Sequence, residues 1–368
     1  MVADGEGFLR PSVDVSACVR CGLCKEVCPV ENRQMPRKPL KVFAAIAHSQ
    51  EIRDGSSSGG VFPLLARDCL SRGGIVFGAA VDEKTGGIHH VPVHCTEDLW
   101  RILGSKYVQS EIGETYREVD RYLKEGHEVL FSGTPCQIAG LSSFIRFSSA
   151  PVEKLLLVDV VCHAVPSPLA WRKYLEFKRN GLRASPGVSR IRFRDKRMGW
   201  RRFGLDVRFA SGHESYACQW DDPFMQGFLH ELYNRPSCHS CAAKGLSSGC
   251  DVTLGDYWGI RAKYPEMDDD RGVSLVLIST TKGISAIERV RSDMKELRPC
   301  SFEDAISSTG AIVSSVKPHK NRGRFFKCVD TVPFDRLVSR LLRRSIVIRV
   351  FWKCGSFGKR MFRMIGGF

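Results

Sequence analysis

Residues 129–136 read VLFSGTPC. A short apolar run reaches a glycine and a cysteine follows at once, the pattern of a buried strand that ends in a chemically equipped loop. Two more runs share this form. Residues 74–81 (GIVFGAAV) and 155–161 (LLLVDVV) are equally apolar, and the second leads directly into Cys162. Between these runs, residues 61–72 and 116–125 place apolar side chains three and four positions apart, which predicts helices. Strands alternating with helices indicate an α/β layer structure, in which loops at strand ends gather to form sites.

Beyond about Pro166 the pattern changes: a helix is expected over 168–178, a strand pair over 189–193 and 204–209, and a strand over 274–278, an α+β arrangement. On the other side, Asn32 to Pro39 is proline-rich and basic and reads as a linker. The expected fold class is therefore α/β and α+β. A small ferredoxin-like N-terminal segment (1–33) precedes a two-part mixed α/β core (40–165 and 166–327), and a basic amphipathic tail (328–368) follows.

Cys18, Cys21, Cys24 and Cys28 stand at the spacing C-x-x-C-x-x-C-x-x-x-C and precede Pro29, the ligand run of a bacterial ferredoxin-type 4Fe-4S cluster. Structural zinc prefers two CxxC pairs with a longer spacer. A second constellation is less explicit. Cys238 and Cys241 form a lone CxxC, and Cys136 and Cys162 follow predicted strand ends. Four thiolates from three segments could hold another 4Fe-4S cluster; zinc, or plain core cysteines, fit the pattern as well.

The glycine-rich run Ser56 to Gly60 precedes an apolar helix, where backbone N–H groups and hydroxyls can meet a phosphate. Gly133-Thr134 has similar geometry, and Lys106 could supply a cation. Neither run matches a dinucleotide or Walker fingerprint, and pattern alone leaves a flexible, helix-capping loop equally open.

With 368 residues and 43% hydrophobic composition the chain can build a real core. Its 15 cysteines sit in metal-type spacings without an apolar leader, so a reducing cytoplasm is expected rather than a disulfide framework. No run of 18 or more apolar residues predicts a membrane span. The net charge of +15 is concentrated at the C-terminus, where residues 336–368 hold nine Lys or Arg and no Asp or Glu. Interleaved with Leu337, Leu341, Ile348 and Trp352, these residues suit a helix on an anionic membrane surface at its inner face, a partner protein, or packing on the chain's own domain. Nucleic acid is not expected, because no binding motif accompanies the charge.

Taken together, CVRCGLCKEVCPV at Cys18, SSSGGVF at Ser56, GSKYVQS at Gly104, FSGTPCQIAGL at Phe131, VCHAVPSP at Val161, FRDKRMGW at Phe193, RPSCHSC at Arg235, DVTLGDYWGI at Asp251 and RGVSLVLISTTKG at Arg271 resemble the beta subunit family of coenzyme F420 hydrogenases and dehydrogenases, in its bacterial branch with an N-terminal ferredoxin domain. The resemblance implies an oxidoreductase in which FAD exchanges a hydride with a deazaflavin or related small molecule and passes single electrons to one or two 4Fe-4S clusters. It implies Cys136, Cys162, Cys238 and Cys241 as ligands of an internal cluster. It also implies Ser58, Gly59, Gly60, Lys106, Tyr107 and Thr134 at the FAD site, with Asp256 and Trp258 nearby, and a redox partner protein such as ferredoxin.

Members of that branch usually carry two ferredoxin motifs, whereas this chain shows one. In such pairs the cysteine before proline serves the other cluster, so the fourth ligand beside Cys18, Cys21 and Cys24 is open. A ferredoxin-fed reductase of an envelope-polysaccharide precursor would use the same cofactors. A non-enzymatic, metal-stabilised interaction protein would leave the glycine loops empty.

Overall fold

The computed structural model describes residues 1–342. Its fourteen strands are β1 (Val2–Ala3), β2 (Leu9–Arg10), β3 (Lys41–Ala47), β4 (Ile75–Val81), β5 (Ile88–Val93), β6 (Ser110–Glu111), β7 (Val129–Gly133), β8 (Leu155–Val160), β9 (Val188–Asp195), β10 (Gly204–Phe209), β11 (Glu214–Cys218), β12 (Val252–Asp256), β13 (Ser274–Ile278) and β14 (Met294–Pro299). Nine of them form one mixed sheet in the order β14-β3-β13-β12-β8-β7-β4-β5-β6. β12, β8, β7 and β4 run parallel, and β13 is antiparallel to both β12 and β3.

Side chains alternate across this sheet, as strand geometry requires. Ile75, Phe77, Val129, Phe131, Leu155 and Leu157 face Val119, Leu123, Ile138 and Leu141 of the helices Thr115–Lys124 and Pro135–Ile145. On the opposite face, Val76, Leu130, Val158, Leu254 and Val276 meet Val61, Leu64 and Leu65 of helix Val61–Ser71 and Ile287 of helix Thr281–Arg289. Both faces are thus covered, the arrangement that parallel strands need.

The expected boundary at Pro166 does not divide this sheet. β12, β13 and β14 come from beyond it and pair with strands from before it. Local periodicity cannot reveal such a return, because strand pairing between distant segments leaves no short-range signal. The second region contributes its own antiparallel sheet, β11-β10-β9, which packs with helix Pro168–Leu182 around Trp171, Tyr174 and Phe193.

The start of the expected tail joins that same core. Helix Phe334–Leu342 buries Phe334, Leu337, Val338 and Leu341, so Leu337 and Leu341 serve the chain's own domain rather than a membrane surface. The helix is amphipathic as its pattern predicts, and the apolar surface it finds is that of Tyr174, Tyr233 and Phe325. The expectation for 343–368 lies outside the described residues. Among the described residues no helix is long and apolar enough to cross a membrane.

Candidate functional site

The C-terminal ends of β4, β7, β8 and β12 and the N-terminal end of the antiparallel β13 lie along one edge of the sheet, and the sequence motifs collect there. Cys136 occupies the first turn of helix Pro135–Ile145, entered directly from β7. Thr134 caps this helix in a capping box with Gln137, and its hydroxyl lies 3.2 Å from Cys136 Sγ. Cys162 stands just past the end of the adjacent β8.

The CxxC reaches Cys162 through backbone pairing. Arg235 N donates to Val165 O, Ser167 N donates to Tyr233 O, and Cys238 N closes the turn onto Arg235 O at 2.9 Å. Cys136, Cys162, Cys238 and Cys241 consequently gather in one place. Burial raises the Cys162 thiol above its ordinary range, and the neighbouring Cys136, Cys238 and Cys241 raise it further by like-charge repulsion. Burial likewise pushes Cys238 up to about 11, with Cys136 and Cys241 adding to the shift.

Two cations oppose this trend. Arg235 lowers Cys136 and Cys238, while Lys244 lowers Cys162 and donates to the Cys162 carbonyl and to Ala311 O. Four converging thiols, three of them half-buried and Cys136 exposed, together with two fixed cations fit an anionic iron–sulfur centre, since the cations favour the thiolate form that ligates iron. Among the described residues, no group of three or more His, Cys, Asp or Glu side chains closes to the geometry of a single metal ion. A cubane spreads its four thiolates more widely than one ion does.

The N-terminal cysteines are differently placed. Cys18, Cys21 and Cys24 are exposed and Cys28 is half-buried. Arg20 (φ 55°) and Gly22 (φ 80°) both adopt left-handed backbone, which turns the CVRCGLC segment tightly before the short helix Leu23–Glu26. Each flank of this loop is fastened beside the internal cysteines. Upstream, Arg235 donates to Leu9 O at 3.0 Å and lies over the ring of the fully buried Phe8. Downstream, Gln34 donates to Ser142 Oγ and packs at Gly249, and Pro36 packs at Gly245.

The glycine-rich loop is bound to the protein more thoroughly than its sequence implied. The Ser58 hydroxyl donates to Val273 O, and Gly59 N donates to Ser274 Oγ. A Cβ on Gly59 would stand 2.6 Å from Ser274 N, so this glycine is needed for close passage between β3 and β13. Gly60 (φ 95°) turns the chain into helix Val61–Ser71. Lys196 ties the loop down through the carbonyls of Arg53 and Arg271. The donors of Ser58 and Gly59 are therefore committed internally, and these residues shape the loop.

Lys106 differs. Its ammonium donates to Leu103 O at 2.7 Å and forms no ion pair with a carboxylate among the described residues, and burial brings its pKa down to about 7. Tyr107 packs against Phe193 and Phe228, and its hydroxyl accepts from Arg194.

Arg194 is the residue that motif reading missed. Its guanidinium binds Asp256 at 2.9 Å, reaches Tyr107 and the Ser57 carbonyl, and lies over Phe203. Trp200 Nε1 donates to the same carboxylate at 2.7 Å, and its ring stacks on Trp258 with centroids 4.7 Å apart. One buried ion pair thus joins the Ser-Gly loop, Tyr107 and the GDYWG turn. The FRDKRMGW stretch held the signal, but no spacing rule links Arg194 to Asp256, 62 positions away.

This geometry is that of an α/β protein with thiols gathered at its sheet edge and a ferredoxin-type loop attached beside them. Residues 126–301 match the family model for the C-terminal part of the beta subunit of coenzyme F420 hydrogenase/dehydrogenase, and residues 11–33 match the 4Fe-4S binding domain. Just under half of the chain is thus similar to that F420 hydrogenase/dehydrogenase beta subunit model, and a 4Fe-4S motif precedes the matched part. Among solved structures, a chain of the F420-reducing NiFe hydrogenase complex from Methanosarcina barkeri aligns over 88% of this chain and 95% of that one, with a TM-score of 0.51 and 16% identity. That likeness is one of fold. No curated protein matches.

Proposed function

We propose that this protein is an iron–sulfur flavoprotein oxidoreductase that passes electrons between FAD and 4Fe-4S clusters. The match to the hydrogenase/dehydrogenase beta subunit model supports the oxidoreductase class. The observation that carries the finer reading is the convergence of Cys136, Cys162, Cys238 and Cys241 beside a second cysteine loop whose two flanks are both anchored to the walls of that site. Two electron carriers in such proximity form a route.

In this reading Cys136, Cys162, Cys238 and Cys241 hold the internal cluster, and Cys18, Cys21, Cys24 and Cys28 belong to the outer one. Lys106 and Thr134 flank the flavin site, which Ser58, Gly59, Gly60 and Tyr107 shape. FAD, when bound, converts two-electron chemistry with a small molecule into one-electron transfers. The protein's part is positional: Lys106 presents its cation to a phosphate, Arg194 holds Tyr107 and the Ser-Gly loop in place, and Arg235 and Lys244 favour the thiolate state.

The test is the visible spectrum of protein purified without oxygen, before and after dithionite, with iron, sulfide, zinc and flavin quantified on one sample. Flavin together with iron is expected. Iron without flavin would reduce the role to cluster carrier, and zinc without a reducible chromophore would overturn it. Lys106→Met is the clean variant for the flavin site, because its side chain lies outside the strained backbone of Gly59 and Gly60; it should lower FAD occupancy with iron unchanged.

A further inference from the structure

His90 is a buried, titratable side chain that neither cysteine set nor the flavin site uses. It lies on β5, is 7% exposed, and stacks on Phe131 with ring centroids 5.2 Å apart. Both ring nitrogens are engaged. Nε2 stands 3.0 Å from Ser132 O and Nδ1 stands 3.0 Å from Ser110 Oγ. A carbonyl only accepts, so Nε2 carries the proton and Nδ1 accepts from the Ser110 hydroxyl. Burial brings the imidazole down to about 4, which keeps it neutral. From there the order of donors is forced. Ser110 Oγ accepts from Gln137 Nε2 at 2.8 Å, which turns Gln137 Oε1 toward Thr134, where it accepts from Thr134 N at 2.9 Å. The Thr134 hydroxyl then has one proton and two acceptors, Gln137 Oε1 at 3.1 Å and Cys136 Sγ at 3.2 Å.

A neutral amide oxygen that already holds one N–H competes poorly with an anionic sulfur, because hydrogen bonds to ionised acceptors are roughly twice as strong. We propose that Thr134 donates its hydroxyl hydrogen bond to Cys136 Sγ and so raises the reduction potential of the internal centre, with Gln137, Ser110 and His90 as positioning residues that hold this hydroxyl in place. This rests on the reading of Cys136 as a cluster ligand. Reduction adds one electron to the centre, and the added negative charge strengthens a hydrogen bond to its sulfur, which favours the reduced state. The Thr134 proton stays on its oxygen. The chain of hydrogen bonds joins β5, β6, the end of β7 and helix Pro135–Ile145. Beside it, Gln109 Oε1 accepts from Arg235 at 2.6 Å, so residues 109–110 touch both the Cys136 turn and the CxxC turn.

The test is a potentiometric titration of full-length protein purified without oxygen, followed by electron paramagnetic resonance, with iron and sulfide quantified for each variant. The signal lost in Cys136→Ala identifies the internal centre. Thr134→Val should move that centre to lower potential by roughly 59 mV, a tenfold change in a one-electron equilibrium. Thr134→Ser keeps the hydroxyl and should restore the wild-type value. His90→Phe, which preserves the stack on Phe131, and Ser110→Ala should each give a smaller shift in the same direction. The signal that survives Cys136→Ala should keep its potential in every variant. A lowered melting temperature with an unmoved potential would show Thr134 to be a helix cap only, and Thr134→Ser behaving like Thr134→Val would show that the hydroxyl is not the donor; either overturns the proposal and leaves the ligand reading standing. Where Thr134→Val loses the centre's iron, His90→Phe and Ser110→Ala decide, since neither side chain is hydrogen-bonded to a cysteine, and an unchanged potential in both overturns it. Iron retained in full by Cys136→Ala would overturn this proposal and the ligand reading together.

Discussion

The two cysteine sets achieve opposite things with the same side chain. Cys18, Cys21, Cys24 and Cys28 lie within eleven consecutive residues of a loop that is largely exposed, whereas Cys136, Cys162, Cys238 and Cys241 come from strand ends and turns up to 105 positions apart and gather at the sheet edge, three of them half-buried and Cys136 exposed. Local spacing sets the geometry of the first. The second exists only when β7, β8 and the 233–241 segment are assembled, so its integrity is tied to the stability of the whole domain. An exposed loop can exchange with partners, and a half-buried site beside fixed cations can hold a potential that those charges tune.

The largest expected effect tests that division. Cys136→Ala or Cys238→Ala should remove one cluster's iron and leave the signal of the other, while Cys21→Ala should do the converse; unchanged iron in both internal variants would dissolve the internal site. Next comes Arg194→Ala, which leaves Asp256 without its cation beside the sheet edge. Breaking a buried pair of this kind costs about 3–5 kcal/mol, so thermal unfolding should shift well below wild type and internal iron should be lost, with the N-terminal loop's signal persisting in whatever remains folded.

The Asp159 carboxylate gives a pH-dependent comparison. It is 1% exposed; Oδ2 accepts from Ser248 and Oδ1 has no partner. Burial raises its pKa from 3.8 to about 6. The native state therefore holds this proton more tightly than the unfolded chain. Its contribution is full below the unfolded value and is lost as pH rises through about 6. Asp159→Asn should consequently gain stability relative to wild type as pH increases from 4 to 7, by roughly 3 kcal/mol for a two-unit shift, with the difference flat above that; a constant difference across the range would show that the carboxylate does not titrate there.

Glycines supply the finest contrast. Gly59→Ala forces a Cβ against β13 and should lower the unfolding temperature of the domain. Gly22→Ala meets open space and only a left-handed backbone, a local cost of about 1–2 kcal/mol; it should impair loading of the N-terminal loop without moving the domain's melting transition. Equal melting shifts for the two would erase the distinction between loop and core.

Much of the fold is legible in the sequence. The expected strands 74–81, 129–132, 155–161, 204–209 and 274–278 and helices 61–72 and 116–125 agree with the observed elements to within a residue or two, because each carries its own apolar periodicity. β5, β11, β12 and β14 have no such signal. β12, Val252–Asp256, is short and mixed, and it is a strand because β8 and β13 pair with it on either side. The Ser-Gly loop shows the same limit: its composition points to a phosphate cradle, but Val273 and Ser274 take the donors of Ser58 and Gly59.

What the sequence determined by itself, then, is chemistry confined to neighbours: the ferredoxin loop with its cysteine spacing, the helix-capping turns, the amphipathic faces and the excess of positive charge. These follow from interactions within a few residues, where backbone geometry fixes distance. Tertiary structure alone decided that one sheet draws strands from both sides of Pro166, that Cys136 and Cys162 meet the CxxC, and that Arg194 closes on Asp256. Those contacts depend on burying both faces of the sheet at once, and a buried charge accepts only the partner that the completed fold brings within reach.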